Sequence, residues 1–147
     1  MAQNYTAQSP ATGYYITSTM CDVPGQIVAT ADGKGGIPAG ATLTFSKALQ
    51  PATTEVTIKG LSGLYITLPP ASLSNPSTGA VSGSKLVWSS TPAIWQVDVT
   101  KTGPYVIVPD GMDLYWFTDN SIGPIVQVKS GAQIKGTENE WIIYTAK

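Results

Sequence analysis

Neither histidine nor arginine occurs anywhere in this chain of 147 residues. Without histidine the chain lacks the commonest general base and the commonest metal ligand, which excludes an ordinary Ser-His-Asp triad. Without arginine it lacks the side chain that captures phosphate or carboxylate groups in a bidentate manner. Charged residues make up 12% of the chain and the net charge is −1, so the composition favours neither a nucleic acid nor an anionic membrane as partner.

Cysteine and long apolar runs are also scarce. Cys21 is the one cysteine, so no internal disulfide can form, and we expect a small buried thiol because no basic neighbour is there to activate it. No stretch reaches the roughly 18 consecutive apolar residues of a transmembrane helix, so no membrane insertion is expected. Residues 1–13 have neither the basic head nor the apolar run of a signal peptide. We therefore expect a soluble cytoplasmic protein without a cofactor.

Short β-strands dominate the pattern that remains. The last third of the chain has four apolar or β-branched runs, at residues 105–109, 113–118, 125–130 and 140–145. Gly, Pro, Asn and Asp separate these runs, which is typical of antiparallel β structure. Apolar residues nowhere persist at helical spacing over three turns, so we expect helix in less than about a tenth of the chain.

Two sequence markers recur three times each. A Gly-x-Tyr phrase followed by apolar residues contains Tyr15, Tyr65 and Tyr105, which are 50 and 40 residues apart. A closing apolar phrase contains Val56, Trp95 and Trp141, which are 39 and 46 residues apart. Repeats of about 40 to 50 residues with four strands fit propeller blades or trefoil lobes, but a propeller takes about four to eight blades. The sequence therefore predicts an all-β protein, a β-trefoil with pseudo-threefold symmetry.

The markers divide the chain into three lobes of one domain, at about residues 13–60, 61–100 and 101–147. Residues 1–12 are interpreted as a frayed lead-in. The remaining strands are predicted near residues 14–19, 26–31, 41–48, 54–59, 85–89 and 93–99. The stretches 32–40, which is rich in glycine, and 69–78, which is rich in proline and serine, are predicted to be exposed loops.

Residue types suited to catalysis are few and poorly placed. Asp110, Asp113 and Asp119 cluster around one loop and strand, but they fall on turn positions where Asp serves the backbone. Their spacing does not match a calcium loop, and the glycines around Lys34 do not match a phosphate loop. We therefore predict that the chain is not an enzyme and has no metal site.

Tryptophan is the residue type that indicates a function. Trp141 lies in a closing strand and is interpreted as a core anchor. Trp88 and Trp116 do not follow the repeat, and three tryptophans between residues 88 and 116 exceed what a small core needs. We therefore predict that Trp88 and Trp116 are partly exposed.

An exposed aromatic side chain beside short polar residues suits a sugar. Tyr115 and Trp116 are neighbours on one predicted strand, so they point to opposite faces and one should be exposed. Such a ring stacks on the apolar face of a pyranose, while polar groups such as Asp119 bond the hydroxyl groups. The sequence thus predicts a carbohydrate-binding protein.

The same residues carry a family resemblance. The stretches 94–95, 103–105, 114–116 and 140–143 resemble small fungal β-trefoil lectins of the ricin B-like superfamily, and most closely mushroom cytoplasmic lectins that bind fucosylated chitobiose cores. The match covers about 50 residues, and the usual Gln-x-Trp motif of the superfamily is absent. The resemblance implies a non-catalytic defence lectin whose partners are glycans or glycoproteins.

This resemblance also implies a sugar site in the second lobe. Trp95 matches a sugar-contacting tryptophan, with one face packed and one edge open, and Ile94 matches a neighbouring apolar contact. Pro92 and Ala93 fall where those lectins carry a polar residue and a tyrosine, so a stacking ring and a hydroxyl group are missing. Trp88, seven residues before Trp95, is expected to refill that space.

A second group of β-trefoil proteins offers an alternative. Mushroom serine and cysteine protease inhibitors share the fold and the size, and they use an exposed loop as bait. In that interpretation the partner is a protease, and Lys34 would enter a trypsin-like pocket. The glycines around Lys34 argue against it, because an inhibitory loop must be held rigid to limit the ordering cost of binding.

Overall fold

The computed structural model describes residues 2–68, 84–109, 112–118 and 125–146. The strands in these residues are β1 (Gln3–Gln8), β2 (Tyr14–Thr17), β3 (Ala29–Asp32), β4 (Leu43–Phe45), β5 (Thr53–Val56), β6 (Ile58–Lys59), β7 (Tyr65–Thr67), β8 (Val87–Ser89), β9 (Trp95–Val99), β10 (Tyr105–Pro109), β11 (Leu114–Phe117), β12 (Gln127–Ser130) and β13 (Ile142–Thr145). A single 3-10 turn, Gly131–Gln133, is the helical structure in the described part, where no helix has the length and apolarity to cross a membrane.

Antiparallel pairing joins six segments into a barrel. β1 pairs with β4 and β4 with β6, while β5, which Thr57 separates from β6, pairs with β9, and β9 pairs with β10. Two hydrogen bonds of 2.7 and 2.8 Å between Tyr105 and Trp141 join β10 to the segment that begins β13. β13 then pairs with β1, which closes the ring and leaves the barrel without a free edge.

Three hairpins cap one end of this barrel. They are β2–β3, β7–β8 and β11–β12. The residues immediately before their second strands meet in a triangle of backbone hydrogen bonds: Val28 donates to Leu86 at 2.9 Å, Leu86 to Val126 at 3.0 Å, and Val126 to Val28 at 3.4 Å. All three side chains are fully buried. The triangle marks the pseudo-threefold axis, so the β-trefoil predicted from the sequence is confirmed.

The register identifies equivalent positions in the three lobes. In each lobe the first strand pairs with the fourth, and the residues that lie opposite each other are Tyr5 and Leu43, Val56 and Trp95, and Tyr105 and Trp141. The lobes therefore run from β1 to β4, from β5 to β9 and from β10 to β13. The interpretation of residues 1–12 as a frayed lead-in is wrong, because β1 is a barrel strand paired on both sides.

The two sequence markers mixed strands that are not equivalent. Tyr15 and Tyr65 lie in the first strands of cap hairpins, whereas Tyr105 begins a barrel strand. The true counterpart is Tyr115, at an even spacing of 50 residues. Gly13, Gly63 and Gly103 all have positive φ in a turn before a strand. Local turn chemistry repeats wherever a tight turn precedes a strand, so it does not reveal which strand of the lobe follows.

All four tryptophans lie inside the protein. Trp88, Trp95, Trp116 and Trp141 are each at most 1% exposed. The ring centroids of Trp95 and Trp116 are 4.8 Å apart and those of Trp116 and Trp141 are 6.4 Å apart, with nearly perpendicular planes. The core position of Trp141 is confirmed, and the prediction that Trp88 and Trp116 are partly exposed is wrong.

Trp88 and Trp116 are buried because the three lobes contribute side chains of unequal size to the core. The first-lobe counterparts of Trp88, Trp116 and Trp95 are the smaller Thr30, Ile16 and Leu43. Because protein interiors are close-packed, larger rings from the other lobes fill the space that these residues leave. Sequence counting could not reveal this sharing between lobes.

The predicted burial of Cys21 is also wrong, since this thiol is exposed. The Asp22 carboxylate accepts hydrogen bonds from the Ser18 hydroxyl at 2.7 Å and from the Thr19 backbone and hydroxyl at 2.9 and 3.0 Å. These bonds hold residues 18–22 in a compact turn. Cys21 lies at its outer side, where no core contact is available.

Candidate functional site

A cavity of about 610 Å³ opens in the second lobe, within the size range of ligand sites in proteins. Leu68, Trp88, Trp95 and Pro109 are buried and form its floor. Pro24, Thr91, Pro92 and Ile94 are exposed and form its mouth. The remaining described lining residues are Gly25, Thr67, Val87, Ser89, Ala93 and Met112.

The second lobe is open because it lacks a backbone bond that closes the others. In the first lobe the Ser18 N–H donates to the Gly40 carbonyl at 2.7 Å, and in the third lobe Thr118 donates to Glu138 at 3.4 Å. Leu68 and Pro92, both described by the structure, hold the equivalent positions and make no such bond with each other. Leu68 and Pro92 both line the cavity, which lies where the other two lobes have this bond.

An ion pair fills the corresponding region of the third lobe. The ammonium group of Lys129 lies 2.6 Å from a carboxylate oxygen of Glu138 and 4.2 Å from the centroid of the Phe117 ring. The two charged side chains are only 16% and 8% exposed. The same Glu138 carboxylate accepts a 2.8 Å hydrogen bond from the Lys135 backbone. In the second lobe Ser89 replaces Lys129 and Pro92 replaces Glu138, so no charged pair fills the opening.

Few polar side chains of the described residues face the cavity. The Thr67 hydroxyl already donates to the Val87 carbonyl at 3.3 Å. The Ser89 hydroxyl accepts a 3.0 Å bond from the Thr91 N–H and retains its own proton to donate. Among the described lining residues, Ser89 and Thr91 therefore carry the hydroxyl groups that a ligand at the mouth can reach. None of the described lining residues is charged. The arrangement suits binding through apolar contact and a few hydrogen bonds.

Five of the predicted site residues line this cavity: Trp88, Pro92, Ala93, Ile94 and Trp95. Trp95 lines it with almost its whole side chain buried, at 1% exposure, so the open edge expected for this residue is not seen. Tyr115 and Trp116 are not among the lining residues: Trp116 is buried in the core and Tyr115 is the outward neighbour on β11. Asp119, Asp110 and the loop at residues 69–78 lie outside the described residues.

Sequence reasoning missed the lining residues from other parts of the chain. Pro24 and Gly25 come from the first lobe and Pro109 and Met112 from the third. Gly25 is held there by donating to the Trp88 carbonyl at 2.7 Å, with a φ of 89° that favours glycine. The Pro-Gly pair signals a turn, but its place beside β8 depends on contact between lobes.

Lys34 lies in an exposed loop, as predicted. Its N–H donates to the Asp32 carboxylate at 3.2 Å, and Gly36 donates to the Gly33 carbonyl at 3.1 Å. A Cβ at Gly33 would come within 2.7 Å of the Tyr15 ring, so the loop is packed closely at its start. Across the described residues, no group of three His, Cys, Asp or Glu side chains is placed to hold a metal ion.

Comparison with solved structures places this architecture among known proteins. A ricin B-like lectin of Macrolepiota procera, solved in complex with lactose, aligns with a TM-score of 0.69 and 17% identity over 98% of this chain and 96% of that chain. The agglutinin of Rhizoctonia solani aligns with a TM-score of 0.72 and 13% identity, over 99% and 96%.

An enzyme shares the fold as well. An endo-β-galactosidase of Clostridium perfringens that releases GlcNAcα1-4Gal aligns with a TM-score of 0.66 and 15% identity, over 99% of this chain and 33% of that enzyme. No protein-family model and no curated protein sequence matches the chain. At these identities, the similarity establishes that the chain has the β-trefoil fold of these proteins.

Proposed function

We propose that this protein is a non-catalytic carbohydrate-binding protein, a lectin with one sugar site in the cavity of the second lobe. The observation that carries the proposal is the opening between Leu68 and Pro92, where the other two lobes are closed by a backbone bond. A role in defence through recognition of glycans or glycoproteins is part of the same proposal.

The chemistry of the mouth supports a sugar ligand. Pro92 and Ile94 offer apolar surface to the C–H face of a pyranose, and Ile94 is 50% exposed. Ser89 and Thr91 offer hydroxyl groups to those of the sugar. The two lectin structures described above support the proposal as well, since they have the same fold over nearly their whole length. One of them was solved with lactose bound.

A glycan array followed by isothermal titration calorimetry tests the proposal. We expect binding to a subset of glycans and a stoichiometry near one per chain. The affinity should be about micromolar to millimolar, because few contacts are made to a hydrated ligand. The glycan should be recovered unchanged after long incubation. Absence of binding to lactose, chitobiose and fucosylated glycans at high protein concentration would count decisively against the proposal.

A matched pair of variants tests the position of the site. Ser89→Ala removes a hydroxyl group from the mouth of the cavity. Ser62→Ala is the control, because the Ser62 hydroxyl accepts a hydrogen bond from the Leu64 N–H just as the Ser89 hydroxyl accepts one from the Thr91 N–H. We expect Ser89→Ala to weaken glycan binding about three- to tenfold, the value of one hydrogen bond. Ser62→Ala should leave binding unchanged, and equal effects of the two variants would contradict this position of the site.

The loop that carries Lys34 favours a second candidate function, inhibition of a trypsin-like protease. The hydrogen bond from Lys34 to Asp32 and the bond from Gly36 to Gly33, which spans Lys34, hold this loop. Such preorganisation lowers the ordering cost of binding despite the glycines nearby. In a trypsin titration, an inhibitor would show a defined stoichiometry that Lys34→Ala abolishes. A lectin would show no inhibition in either form.

A further inference from the structure

The second-lobe cavity has an apolar floor and a polar edge at its mouth. Leu68 is 5% exposed and Trp88 and Trp95 are 1% exposed, and their side chains are apolar apart from the two indole N–H groups. The Trp95 indole N–H is already bonded to the Ile66 carbonyl at 2.8 Å. The Thr67 hydroxyl is likewise bonded within the protein. Among the described residues, a ligand group that reaches the floor thus finds mainly apolar contact and few partners for a hydrogen bond.

A sugar ring alone does not suit that floor. Most hydroxyl groups placed there would lose their water without gaining a partner, which weakens binding. The sugar is better placed at the mouth, beside Ser89 and Thr91. The space beneath it would then be empty or hold poorly bonded water, unless the ligand carries an apolar group that fills it.

The surroundings of the mouth are also apolar. Val23, which is 56% exposed, precedes the lining residue Pro24 in the chain, and Ile27, which is 39% exposed, follows Gly25 after Gln26. Ile94, which immediately precedes β9, is 50% exposed. Ile27 bridges to Val87, which itself lines the cavity. Apolar residues from two lobes therefore converge where a ligand would enter.

We propose that the natural ligand is a glycoside with an apolar aglycone, an aromatic or short alkyl group that enters the cavity while the sugar stays at the mouth. This inference rests on the proposed function, because it assigns the sugar to the Ser89–Thr91 edge. It adds a second subsite, in which the more accessible apolar lining residues Ala93, Ile94 and Met112 contact the aglycone. The cavity volume of about 610 Å³ leaves room for both parts.

Calorimetric titration of paired ligands measures the contribution of the aglycone. The pairs are the methyl and p-nitrophenyl β-glycosides of lactose and of N,N′-diacetylchitobiose. We expect the p-nitrophenyl member of the recognised pair to bind about tenfold more tightly, which corresponds to about 1.4 kcal/mol. A neutral fluorescent probe without sugar, N-phenyl-1-naphthylamine, should bind with energy transfer from the tryptophans. The p-nitrophenyl glycoside should displace this probe.

Two isoleucine variants locate the subsite. Ile94→Asp places a carboxylate at the mouth of the cavity, and Ile37→Asp makes the same change at a residue that is 62% exposed in the first lobe. Neither position is in the core, so both variants should fold, as a thermal melt would verify. We expect Ile94→Asp to reduce binding of the naphthylamine probe at least tenfold and Ile37→Asp to leave it unchanged.

A third variant separates the two subsites. Ser89→Ala should weaken both members of the recognised glycoside pair by the same factor and leave the naphthylamine probe unaffected. If methyl and p-nitrophenyl glycosides bind equally and the probe does not bind, the aglycone subsite is refuted while the lectin function stands. If the probe binds at Ile94 but no glycoside on the array binds, the lectin function and the glycoside ligand are both refuted.

Discussion

The indole N–H of Trp95 donates a 2.8 Å hydrogen bond to the carbonyl oxygen of Ile66, and its counterpart in the third lobe, Trp141, donates at 3.2 Å to Trp116. Each bond ties a barrel strand to the first strand of a cap hairpin in the same lobe. In the second lobe the bond also orients the tryptophan that lines the cavity. The site is therefore formed by the same contacts that hold cap and barrel together.

Replacement of either indole by phenylalanine should destabilise the protein to a similar degree. Trp95→Phe and Trp141→Phe each keep a ring but leave a buried carbonyl without its donor, which costs about 1 to 3 kcal/mol in addition to the lost volume. Urea unfolding monitored by circular dichroism measures the free energy of unfolding. A change below about 0.5 kcal/mol in either variant would mean that the bond contributes little to stability.

Trp88 and Trp116 should behave as core residues. Truncation to alanine leaves a large cavity, so we expect Trp88→Ala and Trp116→Ala to cost about 3 to 5 kcal/mol each, a large part of the stability of a small domain. Tyr144→Ala is the control, because Tyr144 is 46% exposed on β13 and should change stability far less. Native-like melting temperatures for the two tryptophan variants would contradict the burial described above.

Alanine substitutions at two glycines should distinguish the cost of backbone strain from the cost of a steric collision. Gly36 and Gly40 have φ values of 103° and 85°, but only at Gly40 would a Cβ collide with the Ser18 carbonyl. We expect Gly36→Ala to cost about 1 to 2 kcal/mol through its backbone conformation. Gly40→Ala should cost about 3 kcal/mol or more, because the chain must also move away from Ser18. Equal costs, measured by chemical denaturation, would show that this close approach is not needed.

The Lys129–Glu138 pair should contribute to stability as a unit. Glu138→Gln leaves a mostly buried ammonium group without its partner, and we expect a loss of about 3 kcal/mol. Replacing both residues, as Lys129→Met with Glu138→Leu, should cost much less stability than the sum of Lys129→Met alone and Glu138→Leu alone. A double-mutant cycle measures this coupling, and strictly additive effects would contradict it.

The exposed position of Cys21 predicts its reactivity toward a thiol reagent. Native protein should react with one equivalent of 5,5′-dithiobis(2-nitrobenzoic acid) at a rate close to that of unfolded protein. Cys21→Ser should abolish the reaction without a measurable change in the melting temperature. Labelling that requires denaturant would place the thiol in the interior.

The sequence by itself determined the fold class and most strand positions. Short β-branched runs bounded by Gly, Pro and Asp depend on local conformational preference, and such preferences are encoded within a few residues. The run at Tyr105–Pro109 was predicted with the observed bounds, and the threefold count followed from repeated phrases. The closing phrases around Trp95 and Trp141 were correctly paired, because Trp95 begins β9 and Trp141 immediately precedes β13. Val56 was wrongly grouped with them, since it lies in β5, the first strand of its lobe.

Only the tertiary structure decided how the lobes share their core and where the chain stays open. Trp116 is buried because Ile16 and Ile66 leave room at the equivalent positions of the other lobes, a volume balance between residues 50 positions apart. The cavity exists because Leu68 and Pro92 make no backbone bond where Ser18 and Gly40 do. Such properties depend on contacts between distant segments, and those contacts are not encoded in any local run of residues.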